Sequence, residues 1–328
     1  MMSAGVQRRF ARAVRAGGLE VIEVAREELP PLRNGEALVR VECAGLNHAE
    51  TLIRSGNYVV RLPFPYPLGG EGAGVVVEVG PDAPLRVGAR VCWAGVLGSC
   101  ATLVAAPASL FVPLPEGLTF ENGACLAVAA LTAGGLARVW PLEGRAAVVW
   151  GAAGAVGRML VAILAKRGAD VIGIASGKRG NGVRAAGAKH VVDRGTANVR
   201  DAIREYTGGR GVAAVFDPIG AATHETSLQL LTPRGCLIHY GELSGPVPDV
   251  KLHQLFPGSL FVTKYNGMRW VEGIDEFGVL VAEGLALAVD RPAVISDVAG
   301  RFPLDGAADA YRLLESGANG KVLVLPNR

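Results

Sequence analysis

The residues in this chain best placed to act together are Gly151, Ala152, Ala153, Gly154, Ala155, Val156 and Gly157, which follow the apolar run Val148-Val149-Trp150. A short apolar run entering a glycine turn and then a helix-forming stretch reads as a buried strand that opens onto a helix N-terminus. Gly151 permits the tight turn, Gly154 removes the Cβ that would hold a pyrophosphate off the backbone, and Gly157 lets the helix pack closely on the strand. The helix then offers unpaired N–H groups and the positive end of its dipole to an anion. The chemistry implied is dinucleotide binding.

The next strand signal refines the ligand. A helix-like run from Arg158 to Arg167 stops at Gly168, and the apolar run Val171 to Ala175 follows at the spacing of a βαβ unit. A fold that holds free ribose hydroxyls normally has Asp or Glu after this strand; here the residues are Ser176, Gly177, Lys178 and Arg179. A hydroxyl and two cations suit a 2′-phosphate, so NADPH is expected over NADH. Arg194 would add a third cation after the third strand, and Gly241, which follows the run Cys236 to Tyr240, is placed in the same cofactor set.

Elements able to position these residues follow in alternation. Apolar runs at His190 to Val192, Ala213 to Phe216, Cys236 to Tyr240 and Ser259 to Thr263 are separated by helix-capable segments such as Val199 to Tyr206 and Thr223 to Leu231. That order predicts an α/β domain with a doubly wound parallel sheet. Residues 19–127 have a different character, with short apolar strands broken by Pro30-Pro31, Pro63, Pro65, Pro67, Gly69-Gly70, Pro81 and Pro113. They predict an irregular β-rich domain. From about Met268 a helical run leads to a strand at Ala293 to Ser296, a helix at Gly306 to Ser316 and a strand at Lys321 to Leu325. The expected organisation is one domain of residues 1–127 and 268–328 around an inserted nucleotide-binding domain of residues 128–267, with substrate in the cleft between them.

Composition excludes several function classes. The 328 residues are 50% hydrophobic and 19% charged, which describes a soluble chain able to bury large cores. Lys and Arg number 33 against 30 Asp and Glu, scattered along the chain, so no nucleic-acid or membrane partner is expected. Cys43, Cys92, Cys100, Cys125 and Cys236 are odd in number and lack CxxC spacing, which points to reduced packing residues and a cytoplasmic location. The apolar stretch Gly123 to Ala137 is too short and glycine-rich to span a bilayer. Arg8, Arg9, Arg12 and Arg15 superficially suggest a transit peptide, but Ala11 to Val14 and Leu19 to Ala25 suit a first hairpin, leaving a short arginine-bearing extension.

Taken in order, Cys43-Ala44-Gly45-Leu46-Asn47, Arg54-Ser55-Gly56-Asn57-Tyr58, Pro67 to Gly74, the Gly151 turn, Phe216-Asp217-Pro218-Ile219-Gly220 and Gly320 to Val324 resemble the zinc-independent quinone oxidoreductase branch, zeta-crystallin-like, of the medium-chain dehydrogenase/reductase superfamily. The resemblance covers nearly the whole chain and implies a GroES-like catalytic domain around an inserted Rossmann domain. Where zinc-dependent members place cysteine and histidine ligands, this chain has Asn47, Gly70 and Val128, so no metal is expected.

Without a Lewis acid, the resemblance implies hydride transfer to a quinone or conjugated enone, whose anion is delocalised enough for hydrogen-bond donors to stabilise. Asn47 and Tyr58 are the candidate catalytic donors. Leu52 and Glu50 depart from the tyrosine and aspartate common in relatives, which leaves the general acid open, and Arg54 could bind an acidic substrate group, although a loop arginine is usually just solvated. His224, His239 and His253 show no catalytic spacing. Two alternatives stay open: an enoyl reductase acting on a thioester or polyketide-like substrate, and a crystallin-like protein that binds NADPH without turnover. The last apolar run of the inserted sheet, Ser259 to Thr263, is expected to form an unpaired edge through which the chain dimerises.

Overall fold

The computed structural model describes residues 6–58, 60–271 and 273–328. The chain divides into two compact units, one of Met1–Leu131, Gly273–Val289 and Asp297–Arg328, the other of Thr132–Glu272 and Asp290–Ser296. The chain therefore crosses into the second unit twice, the second time for the short segment Asp290–Ser296. The expected strand at Ala293 to Ser296 is instead a 3-10 turn over Pro292–Val294, and the strand begins at Val298. Pro292, which has no N–H to give a ladder, sits at the start of that turn.

In the first unit, a seven-stranded sheet runs in the order Val298–Pro303, Lys321–Leu325, Glu36–Gly45, Glu71–Val79, Arg90–Ala94 and Val112–Pro113, with Leu103–Pro107 also paired to Glu36–Gly45. Val39, Val41, Val76, Trp93, Tyr311 and Val324 form part of its core. A smaller sheet joins Ile22–Leu29, Val6–Ala13 and Tyr66–Pro67. The arginines near the start are no loose extension. Arg8 lies opposite Glu27 and Arg12 opposite Glu23 in the antiparallel ladder, and each pair closes an ion pair, at 2.5 and 2.6 Å.

The second unit is the doubly wound sheet. Its strands lie in the order His190–Asp193, Asp170–Ala175, Ala146–Val149, Val212–Asp217, Leu231–His239 and Phe261–Lys264, every neighbour parallel. The reversal of direction falls at Ala146–Val149, where ligands of such sheets bind beyond the strand ends. Val148, Ile172, Ile174, Val215 and Leu237 fill the core. The edge strand is displaced from its expected place: Ser259 closes a 3-10 turn with φ +48°, and pairing covers Phe261 to Lys264. All five cysteines are buried and free, and burial pushes the Cys236 thiol up to about 11. No helix among the described residues is long and apolar enough to cross a membrane.

Candidate active site

In the second unit, Ala146–Val149 runs into the glycine turn and the helix Ala155–Lys166. Gly151 adopts φ +60°, which a side-chain-bearing residue rarely tolerates. A Cβ on Gly157 would lie 2.3 Å from the Gly151 carbonyl oxygen and 2.7 Å from Ala152 Cα, so only glycine allows the helix this close to the strand end. Gly154 caps the helix, its carbonyl accepting from Arg158 N–H at 2.9 Å, and Ala155, Val156 and Gly157 precede that first intrahelical donor. Ala152 is buried, while Ala153 and Gly154 reach the surface. Arg158, not singled out from sequence, is almost fully buried and bonds the Ala153 carbonyl at 3.1 Å, bracing the turn from inside.

The strand ends supply the rest of this half. Ser176 follows Asp170–Ala175, and its hydroxyl accepts from Arg194 Nε at 2.9 Å. Lys178 and Arg179 occupy the adjoining 3-10 turn and are exposed, as is Arg194. Gly241 lies after Leu231–His239, where a Cβ would meet the Pro218 carbonyl oxygen at 2.5 Å. The Pro218 loop is shaped by Asp217, whose carboxylate accepts from Ile219 N–H at 2.8 Å and from the Thr223 and Ser227 hydroxyls at 2.7 and 2.8 Å. All of the expected cofactor residues therefore gather at the carboxyl ends of the parallel strands.

In the first unit, Asn47 is the N-cap of the helix His48–Ser55, and its N–H donates to Glu50 three residues on. The Asn47 side chain is engaged at both ends. Its Nδ2 donates to Glu71 at 2.9 Å, with Glu50 Oε1 farther off at 3.5 Å, and its Oδ1 accepts from Lys321 Nζ at 2.8 Å. Glu71 is wholly buried and also accepts from Lys321 at 2.5 Å and from Val128 N–H at 2.6 Å. Tyr311 donates to Glu50 Oε2 at 2.5 Å. Burial raises the Glu50 carboxyl above its usual range, against the opposing pull of the Tyr311 bond and the Lys321 charge. Tyr58 is half-buried in the loop after the helix. Arg54, expected to be solvated, is buried and ties Gly17 to Glu315, so it is not available to a ligand.

Similarity to known proteins decides what this assembly belongs to. Residues 33–138 match the alcohol dehydrogenase GroES-like domain and residues 155–277 the zinc-binding dehydrogenase domain. The Pseudomonas aeruginosa quinone oxidoreductase is 33% identical, over 94% of this chain and 97% of its own length. The chain belongs to the quinone oxidoreductase family of the medium-chain dehydrogenases/reductases. The Escherichia coli quinone oxidoreductase complexed with NADPH superposes with a TM-score of 0.86 at 30% identity, over 97% of this chain and all of that one. A Burkholderia 2-haloacrylate reductase is 30% identical over 89% of this chain and 91% of its own length. The GroES-like and Rossmann architecture is thus that of the family.

Against the family pattern, the polar groups that sequence reasoning undervalued are Glu71 and Lys321. The one signal was a lysine heading an otherwise apolar strand, Lys321–Leu325, all of it buried. A second buried group was also missed. His224 Nδ1 lies 3.0 Å from His239 Nε2, and His239 Nδ1 lies 4.0 Å from Asp217. Burial depresses the pKa of both imidazoles, with the Asp217 charge opposing it. Their contact was not legible because it joins the start of a helix to the end of a strand.

Proposed function

We propose that this chain is an NADPH-dependent oxidoreductase that reduces a quinone or conjugated enone without zinc. The observation that carries the reading is the donor set around Asn47. Of the three positions at which zinc-dependent members carry ligands, Asn47 offers an amide already bonded to Lys321 and Glu71, Gly70 has no side chain, and Val128 is aliphatic. The buried carboxylate beside them, Glu71, already faces a cation, the Lys321 ammonium. These residues do not fit a zinc ion.

They do suit an acceptor that spreads its own charge. When bound, NADPH supplies the hydride. The glycine turn and helix N-terminus would hold the pyrophosphate, and Ser176, Lys178, Arg179 and Arg194 the 2′-phosphate. The turn supports this fit, because the space at Gly157 admits no Cβ and the helix end leaves backbone donors without intrahelical partners. The second N–H of Asn47, held only weakly by Glu50 at 3.5 Å, and the Tyr58 hydroxyl would donate to the acceptor's oxygen. On this reading residues 1–127 and 268–328 are the catalytic domain and residues 128–267 bind NADPH. Similarity to a 2-haloacrylate reductase favours a second reading, in which the acceptor is a conjugated acid or its thioester rather than a quinone.

The test is oxidation of NADPH by the purified protein with quinones, simple enones, 2-haloacrylates and enoyl thioesters, alongside oxidation of saturated alcohols. Turnover with quinones or enones and none with alcohols is expected. Alcohol oxidation with the conjugated acceptors inert overturns the reading, and turnover confined to haloacrylates or thioesters selects the second one. Asn47→Ala should lower turnover by about a hundredfold with NADPH affinity little changed.

A further inference from the structure

Lys321 is 7% exposed and Glu71 fully buried, yet the contacts of the ammonium extend beyond charge neutralisation. Lys321 Nζ reaches Glu71 Oε2 at 2.5 Å and Asn47 Oδ1 at 2.8 Å, while Asn47 Nδ2 reaches the same Glu71 oxygen at 2.9 Å. An ammonium can only donate and an ionised carboxylate can only accept. The carboxamide between them has one orientation that satisfies both. Rotated by half a turn, it would set its NH2 against the ammonium and its oxygen against the carboxylate.

We infer that Lys321 is a positioning residue for the reduction: with Glu71 it locks the Asn47 carboxamide so that the N–H edge, never the oxygen, is presented to the acceptor. This rests on the reading that Asn47 donates to the substrate's oxygen. The main chain of Asn47 is fixed independently, by its backbone N–H bond to Glu50 and the Tyr311 bond behind that carboxylate. Glu71 extends the same lock to Val128 N–H. The lock therefore ties together three stretches of chain that a metal ion would otherwise join.

The test uses the full-length protein with Glu71→Gln and Lys321→Met combined. This neutral pair leaves no unpaired buried charge, and the amide that Glu71→Gln introduces can bond either orientation of the Asn47 amide. The expected result is a thermal midpoint and NADPH affinity close to wild type, with kcat reduced by about tenfold or more. Asn47→Ala, which should cost roughly a hundredfold in the native background, should cost only a few-fold in the double variant, because the donor it removes is no longer aimed. A double variant with unchanged kcat, or an equal cost of Asn47→Ala in both backgrounds, overturns the positioning role. Should the native protein reduce none of the acceptors, the function reading fails while the lock is still read directly. In that case solvent exchange of the Asn47 side-chain amide, followed by 15N NMR, should be about tenfold or more faster in the double variant; equal exchange overturns the lock.

Discussion

Lys178 and Arg179 stand at the end of the second Rossmann strand where ribose-binding folds place an acid, and both are exposed. A charge-assisted contact to a phosphate is worth about 1.5–3 kcal/mol when shielded from water, and solvent screening here brings the pair toward the lower end. Lys178→Ala with Arg179→Ala should thus weaken NADPH binding by roughly tenfold and leave NADH binding unaltered, measured by fluorescence titration of both cofactors. Equal affinities for the two cofactors in the native protein would remove the assignment. The residue scale also holds the clearest pH response. His224 and His239 are buried with depressed pKa values, so the folded protein binds protons there less readily than the unfolded chain, which takes them up near the ordinary imidazole value of 6.5. Stability from this pair is fully present above that value and lost as pH falls. Each imidazole that stays neutral contributes a slope of about 1.4 kcal/mol per pH unit in that window. The thermal midpoint should be flat from pH 8 to about 7 and fall toward pH 5, and His239→Gln should flatten the fall; a midpoint unaffected by pH over this range counts against it.

Elements with a short-range signature were readable from the chain. The helix Val199–Tyr206 and the strand Lys321–Leu325 fall where periodicity put them, because capping and alternation are local. The glycine turn was readable for the same reason: each of its requirements lies within seven consecutive residues. Gly157→Ala tests it. The added methyl would lie 2.3 Å from a backbone oxygen, so the helix must move off the strand; NADPH affinity should fall by at least tenfold with a loss of about 1–3 kcal/mol in stability. A Gly157→Ala protein that binds NADPH as before would mean the helix approach is not what the cofactor needs. The elements that could not be read are those fixed by distant partners. Glu71 and Lys321 are 250 positions apart and meet only because Glu71–Val79 and Lys321–Leu325 flank the same strand, Glu36–Gly45. Arg54 resembles a solvated cation in sequence and is buried because Gly17 and Glu315 are brought to it.

For the whole molecule, the open question is what covers the sheet edge of the Rossmann unit. Phe261–Lys264 pairs on one side only, with Leu231–His239, and leaves its other row of N–H and C=O groups unpaired within the sheet. Around it the apolar surface is large for a solitary chain: Phe261 is 51% exposed, and Leu252 and Phe256, just before the strand, are 82% and 84% exposed. Two copies paired edge to edge about a twofold axis would satisfy both rows of backbone groups and bury these side chains, so we propose that the chain is a homodimer through this strand. The native protein should sediment at micromolar concentration with twice the 34.0 kDa mass of the chain. Because Phe261 also packs on Trp140, with ring centroids 5.0 Å apart, Phe261→Lys carries a cost to the fold itself, and Phe256→Lys is the cleaner probe. Phe256→Lys should shift the protein toward monomer by about tenfold or more in dissociation constant while leaving the circular dichroism spectrum unchanged. A native protein that sediments as a monomer overturns the dimer, and Phe256→Lys and Phe261→Lys variants that both remain dimeric place the interface on another surface.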